Sequence, residues 1–244
     1  IGSALLLTLL TQATIGAVLA TSVGFLIRQN GLVSFGHAAF FGGGAYLVAL
    51  AGQSGLISDE TAIIAAVLVP TVVAFAIAFV MLRVSGVAFS MLTLAVAEAL
   101  HELMMRWREL ANGEDGLPVR LPGTLFGLPV SAFQTPGSMF LICWIVLMAL
   151  LAGLWLLSRS HLGTLTLAIQ DNEERARFIG YETLLPRAIV FALSAGMAAM
   201  GGVLFALYNG FVSPDVLHWS LSGEALVMAI IGGARTLWGP ALGA

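Results

Sequence analysis

The sequence predicts an all-α, polytopic membrane helical bundle with broken or re-entrant helices and a weak inverted repeat. Three observations carry that prediction. Of the 244 residues, 59% are hydrophobic and only 9% charged, with a mean hydropathy of +0.99. A water-soluble domain is roughly 25% charged. Charge-free runs recur along the chain, and a hydrocarbon core of about 30 Å needs roughly 20 helical residues to cross. Two of the apolar stretches are interrupted by glycine in a similar pattern, as in membrane proteins whose helices break at depth.

The same composition excludes a water-soluble enzyme, a disordered chain and a nucleic-acid binder, which needs a basic stripe. All ten basic residues are Arg. With no Lys, the chain has neither the phosphate-reaching residue of a P-loop nor a Schiff-base amine. The single cysteine, Cys143, makes no internal disulfide and no cysteine-based metal site. The chain starts at Ile1 and ends in a Gly-rich apolar stretch, so both ends read as boundaries within a longer protein.

In chain order, the uncharged runs are residues 1–27, 29–58, 61–82, 121–158 and 188–214. Residues 84–97 form a shorter run that continues through 105 as an amphipathic helix end, and 225–244 carries only Arg235. About seven membrane segments are expected. Alternating them puts Arg28, Arg83, Arg159, Arg175, Arg177, Arg187 and Arg235 on one side, and Arg106, Arg108 and Arg120 on the other. The excess of Arg marks the first side as cytoplasmic. Asp59, Glu60, Glu114, Asp115 and Asp215 then face outward, and the five Trp fit interfacial belts.

Residues 30–46 place Gly36 and Gly42–Gly44 inside a spanning segment. Glycine costs about 1 kcal/mol in a helix interior, so three in a row predict a broken helix lining a cavity. Tight packing through small residues is the other reading. Ser34, His37, Phe40 and Gly43 are the candidate path-lining residues here. His37 is an intramembrane ionisable group and so a functional candidate, or a neutral imidazole bridging two backbone carbonyls freed by the break. Residues 220–240 repeat the grammar: a Ser start, a short apolar half-helix, a Gly pair, then a second start at Pro240. Ser222 and Glu224 are its candidates. Glu224 is read in the first turn, where an acid complements the helix dipole, or as a tie between two half-helices. Between these stretches, Glu98, Glu102 and Arg106 share a helix face, with Glu102 and Arg106 in the favourable acid-first order. Glu98 lies deepest and is the gate candidate.

The charged island 159–187 is the third informative stretch. Residues 166–180 read as a short surface helix with apolar contacts from Leu167, Ile169, Ala176, Phe178 and Ile179, capped by Gly180. Asp171, Asn172, Glu173, Glu174, Arg175 and Gly180 are candidates for docking another protein. A helix resting at the membrane interface is the alternative.

These three stretches, in this order, resemble the LivM-type permease subunit of branched-chain amino acid ABC importers, the LivH/LivM permease family. The likeness covers nearly the whole chain. Gly31-Leu-Val-Ser-Phe-Gly-His-Ala-Ala-Phe-Phe-Gly-Gly-Gly-Ala-Tyr46 is close to that family's first signature. Asn112-Gly-Glu-Asp-Gly-Leu117 resembles its outer loop, and Ala168-Ile-Gln-Asp-Asn-Glu-Glu-Arg-Ala-Arg-Phe-Ile-Gly180 its ATPase-coupling loop. Ser213-Pro214, Ser222-Gly-Glu224 and Gly232-Gly-Ala-Arg-Thr-Leu-Trp-Gly-Pro240 resemble its final signature.

The resemblance implies a non-enzymatic subunit in a bacterial cytoplasmic (inner) membrane, with one permease domain over 1–244 and 159–187 as its coupling loop. It implies half of a path for a small solute, branched-chain or other hydrophobic amino acids. Expected partners are a second LivH-like permease subunit, two cytoplasmic ATPase subunits and an extracytoplasmic substrate-binding protein. No cofactor is expected on this chain, since ATP and Mg would be used by the ATPases. Related permeases carry urea, amides or aromatic acids. A stand-alone channel for a small neutral solute is the rival reading, and it needs no coupling loop. An intramembrane enzyme needs reactive groups at common depth, and His37, Glu98 and Glu224 are scattered in sequence.

Overall fold

The computed structural model describes residues 2–54, 57–120, 124–125, 128–129 and 135–244. Its long elements are α1 (Gly2–Asn30), α2 (His37–Ser54), α3 (Asp59–Met81), α4 (Val87–Arg106), α5 (Pro136–Arg159), α6 (His161–Asp171), α7 (Glu173–Phe178), α8 (Leu184–Asn209) and α9 (Trp219–Gly232), with a last turn α10 (Gly239–Leu242). Among the described residues, five helices are long and apolar enough to cross a bilayer: Leu5–Asn30, Asp59–Met81, Val87–Arg106, Gly137–Arg159 and Leu184–Asn209. This is a multi-pass membrane protein of the all-α class. The expected seven spans resolve into these five plus two shorter helices, α2 and α9.

The expected break at Gly42–Gly44 does not occur. α2 runs unbroken through all three glycines, and the irregular backbone lies earlier, at residues 31–36. The glycines serve close packing instead. A Cβ on Gly44 would collide with the carbonyl oxygen of Ala199, and one on Gly42 with the Leu217 side chain. From the other helix, a Cβ on Gly202 would meet the Phe41 carbonyl. α8 thus nests against α2 backbone to backbone, as small residues allow in membrane helices. α8 also packs on α1 and α3 and is the most buried of the five long helices. α3 and α5 present Ile64, Leu68, Val72, Leu141, Ile145 and Leu156 outward, the surface lipid would cover.

Other expectations shift at element ends. The run 121–158 becomes a helix only from Pro136, where a proline costs no hydrogen bond in the first turn. Before it, β2 (Thr124–Leu125) pairs antiparallel with β3 (Leu128–Pro129). Residues 121–123, 126–127 and 130–134 of that predicted run lie outside the described residues. The single helix expected at 166–180 is two, α6 and α7. They divide at Asn172, whose side-chain oxygen accepts the Arg175 N–H at 2.8 Å as an N-cap. Gly180 does end the segment, with φ +96 and its N–H on Arg177 O at 2.9 Å. α9 ends at Gly232, as the Gly pair predicts, and Pro240 sits in the first turn of α10.

Polar contacts tie the helices together at both ends of the bundle. At one end, the last turn of α1 meets the middle of α6 and the first turn of α8: Thr166 Oγ1 donates to Gln29 Oε1 at 2.7 Å, and Asn30 Nδ2 to the Arg187 carbonyl at 3.0 Å. At the other end, β1 (Leu117–Pro118) pairs with β4 (Phe211–Val212) in the register Leu117↔Val212, Pro118↔Phe211. The Asn112–Leu117 motif builds the turn that makes this pairing possible. Asn112 takes the left-handed conformation at φ 58, and its Nδ2 donates to Gly116 O at 3.1 Å.

Candidate functional site

The irregular segment 31–36 passes between packed helices, so its freed backbone groups need partners other than water. α4 supplies them. Ser90 Oγ donates to Val33 O at 2.7 Å, and Thr93 Oγ1 accepts the Phe35 N–H at 3.1 Å. Ser34 Oγ accepts the Gly36 N–H at 3.1 Å, closing the segment on itself. α2 then begins at His37, and its Ala38 N–H is accepted by Ser222 Oγ of α9 at 2.7 Å. The two signature stretches, 184 residues apart at this contact, therefore meet where two short helices start.

His37 is fully buried, and its Nε2 lies 3.0 Å from Ser194 Oγ. Ser194 spends its own hydroxyl proton on Phe191 O at 3.1 Å, so the imidazole donates from Nε2. The expected pair of backbone carbonyls is replaced by one hydroxyl from α8, and Nδ1 has no hydrogen bond among the described residues. Phe40 is buried, edge-on to both His37 and Phe191. Gly43 faces Pro70 of α3. Ser34, His37, Phe40 and Ser222 thus form the internal joint of the two signatures.

Glu224 is not in the first turn of α9. That turn starts at Trp219, and the capping role falls to His218, whose Nδ1 accepts the Ser220 N–H at 3.3 Å. Glu224 instead lines a cavity of about 630 Å³ with Gln12, Ser213 and Asp215, walled by Leu19, Phe41, Phe205 and Met228.

Glu98 forms a second polar cluster. Its Oε1 stands 3.8 Å from His101 Nδ1, and its Oε2 3.9 Å from His218 Nε2. The two imidazole rings are 5.2 Å apart, edge to face. Trp219 flanks His218, and Phe35 packs edge-on to Trp219. Neither long contact is a hydrogen bond, and the buried atoms Glu98 Oε2 and His101 Nδ1 have no partner of that kind among the described residues. Glu102, one turn further, pairs with Arg106 at 3.1 Å on the open surface, as expected. Counted at 1.5 Å per residue, Glu98 lies ~16 Å from one end of α4 and ~12 Å from the other. An acid at such depth costs about 2.5–3.5 kcal/mol against lipid, so this face is built for something other than lipid.

The island 159–187 is organised by Glu173. Arg187 Nη1 donates to its Oε2 at 2.7 Å, Arg177 Nη2 to its Oε1 at 2.6 Å, and Thr183 Oγ1 to Oε1 at 3.0 Å. Partial burial raises the Glu173 pKa, but Arg187, Thr183 and Arg177 together outweigh it and hold the carboxyl below its ordinary range. Glu173 therefore acts inward, as a latch onto α8, and Asn172 is a cap. Asp171, Glu174, Arg175 and Gly180 keep outward positions. The most open apolar surface on the island belongs to Phe178, 89% exposed, with Ile179, Tyr181 and Leu185 beside it. Against this edge lies a groove lined in part by Leu165, Ala168, Arg175 and Ala176.

Sequence reasoning missed Ser90, Thr93, Ser194, His101, His218 and Arg187 as members of these clusters. Small hydroxyls in apolar runs carry no local signal, but His101 and His218 are two of only four histidines and were open to scrutiny.

Known proteins with similar sequences bear on this geometry. A family model described as branched-chain amino acid transport system / permease component matches residues 5–244. The chain is 26% identical to the high-affinity branched-chain amino acid transport system permease protein LivM of Salmonella typhimurium, over 91% of this chain and 57% of that protein. It is 25% identical to LivM of Escherichia coli K12 over the same shares. To the autoinducer 2 import system permease protein LsrC of Salmonella typhi it is 34% identical, over 46% of this chain and 33% of that protein. The chain thus spans little more than half the length of the LivM proteins it matches. No solved structure matches it. The chain belongs to the branched-chain amino acid transport system permease family.

Proposed function

We propose that this chain is one permease domain of an ATP-driven ABC importer in a bacterial cytoplasmic membrane, forming half of the path for branched-chain or other hydrophobic amino acids. A second LivH-like permease subunit supplies the other half, and an extracytoplasmic binding protein delivers the solute. Two cytoplasmic ATPase subunits use ATP and Mg. The observation that carries the reading is the island 159–187. Its exposed apolar edge at Phe178 and Ile179 suits a protein groove, and the Glu173–Arg187 latch ties that edge to α8, the buried helix that holds His37 through Ser194. A push on the edge reaches the joint of the two signatures through one rigid helix. A stand-alone channel has no use for such a linkage. The likeness to LsrC over part of the chain supports a second reading, the same machinery for a solute other than an amino acid.

Two experiments test the proposal. Phe178→Asp with Ile179→Asp is expected to abolish co-purification of the ATPases and ATP-dependent uptake while membrane insertion persists. Wild-type uptake by that variant in proteoliposomes overturns the coupling role. Asn112→Cys and Asn172→Cys, each in a Cys143→Ala background, are expected to react with an impermeant thiol reagent from opposite sides. Reaction from the same side overturns the orientation.

A further inference from the structure

We propose that Glu98, His101 and His218, walled by Phe35 and Trp219, form a transit site for the primary ammonium group of the solute; this rests on the permease reading above. The cluster joins residues from three separate parts of the chain: the irregular segment before α2, the middle of α4 and the start of α9. Glu98 is acidic, lies near mid-span and is 39% exposed on the outside of the chain, with His218 at 34%. No arginine reaches it among the described residues, whereas Glu102 next to it already holds Arg106.

The hydrogen-bonding state of the cluster defines what it lacks. His218 Nδ1 is engaged with Ser220, by its N–H at 3.3 Å and its Oγ at 2.8 Å, and Nε2 faces Glu98 Oε2 at 3.9 Å. His101 Nδ1 faces Glu98 Oε1 at 3.8 Å. These gaps are too long for hydrogen bonds, and Glu98 Oε2 and His101 Nδ1 are buried without one among the described residues. A primary ammonium carries three donors. Placed at the Glu98 carboxylate, it meets an anion, with His101 Nδ1 beside it. Trp219, against the His218 ring, adds an aromatic side chain of the kind that attracts a desolvated cation. A metal ion is a poorer fit, since no group of His, Cys, Asp and Glu among the described residues is placed to hold one. The loose spacing suits passage rather than capture: a site for release inward must bind weakly, in the millimolar range, on the order of −4 kcal/mol.

The test uses the full transporter, with both permease subunits, ATPases and binding protein. Uptake of labelled leucine is measured in proteoliposomes. Binding to the ATP-free complex in nanodiscs is followed by saturation-transfer NMR, with leucine and with its amine-free counterpart 4-methylpentanoate. In the wild type, leucine is expected to give a millimolar signal and 4-methylpentanoate a much weaker one. Glu98→Gln is expected to cut uptake and the leucine signal at least tenfold and to leave 4-methylpentanoate unchanged, with Glu98→Asp recovering part of the loss. Should Glu98→Gln fail to assemble, His101→Gln carries the test with a three- to tenfold loss. Unchanged uptake and binding in the assembled variants overturn the site and leave the permease reading standing. So does a wild type that imports an uncharged solute but nothing bearing an ammonium. A wild type that imports no solute at all overturns the permease reading, and the site with it.

Discussion

Two carboxylates in this chain face nitrogen-bearing side chains, and their surroundings differ in kind. Glu173 accepts three hydrogen bonds, at 2.6, 2.7 and 3.0 Å, from Arg177, Arg187 and Thr183. Glu98 faces two imidazoles at 3.8 and 3.9 Å and bonds neither. The first cluster is closed: each carboxylate oxygen is occupied, and the buried Arg187 is neutralised. The second is open, with unfilled acceptors near the middle of a membrane helix. A closed cluster holds parts of a fold together, and an open one has capacity left for a ligand. The contrast separates structural charge from functional charge more sharply than depth alone.

The contrast breaks first, and most heavily, at Glu173. Arg187 is only 7% exposed, and removing the partner of a buried cation costs about 3–5 kcal/mol. Glu173 keeps a third of its side chain in water, so we expect Glu173→Gln to fall near ~3 kcal/mol, at the low end of that range. Thermal melting of the purified complex checks it. If the loss comes from a stranded Arg187 rather than from a missing attraction, Glu173→Gln combined with Arg187→Met recovers most of it, to within about 1 kcal/mol of wild type. A double variant as unstable as the single one shows that the latch is not a pair.

The acid limb of the same prediction follows from linkage. The Glu173 carboxyl has an ordinary pKa of 4.5 and a lower one in the fold. Its contribution is therefore fully present above about pH 4.5 and is lost as the pH falls through the lowered folded value. The melting difference between wild type and Glu173→Gln is expected to stay constant from pH 8 to pH 5 and to shrink only in stronger acid. A difference that fades between pH 7 and pH 5 means that a histidine, not Glu173, governs the latch.

How much of this was legible in the sequence depends on whether the signal is local. The spans were legible, because desolvating charge is costly wherever it happens along a helix. The Glu102–Arg106 pair was legible because it repeats at four residues. The break was expected at Gly42–Gly44 and lies at 31–36, since glycine was read as helix weakness when its use here is steric, letting the Ala199 and Phe41 carbonyls approach. Glu173 was expected to face a partner protein, and its ties to Arg187 and Thr183 were hidden by the chain reversal at Gly180. The Glu98 cluster was half visible. Glu98 stood out as an acid in an apolar helix, but His218 joins it across 120 residues of sequence, and it is the packing of residues 214–217 and of α9 on α4 that brings them together.

The smallest effect is the sharpest test of the contrast. Glu98→Gln removes a charge from the middle of a span, and a naive ledger expects a large change in stability. The geometry says otherwise. No hydrogen bond to Glu98 is lost, because none closes within 3.5 Å among the described residues. Gln keeps the volume, and neutralising an acid at that depth removes a desolvation cost. The two changes offset, so we expect the melting temperature of the complex to move by no more than the equivalent of about 0.5 kcal/mol, as for a substitution that breaks no packed or bonded feature. Set beside the loss expected at Glu173, that near-silence means the fold does not depend on the Glu98 charge. A destabilisation of 2 kcal/mol or more, on the order of a broken buried network, would show that Glu98 is a second latch whose bonds close in the assembled transporter, and the division between open and closed clusters would fall.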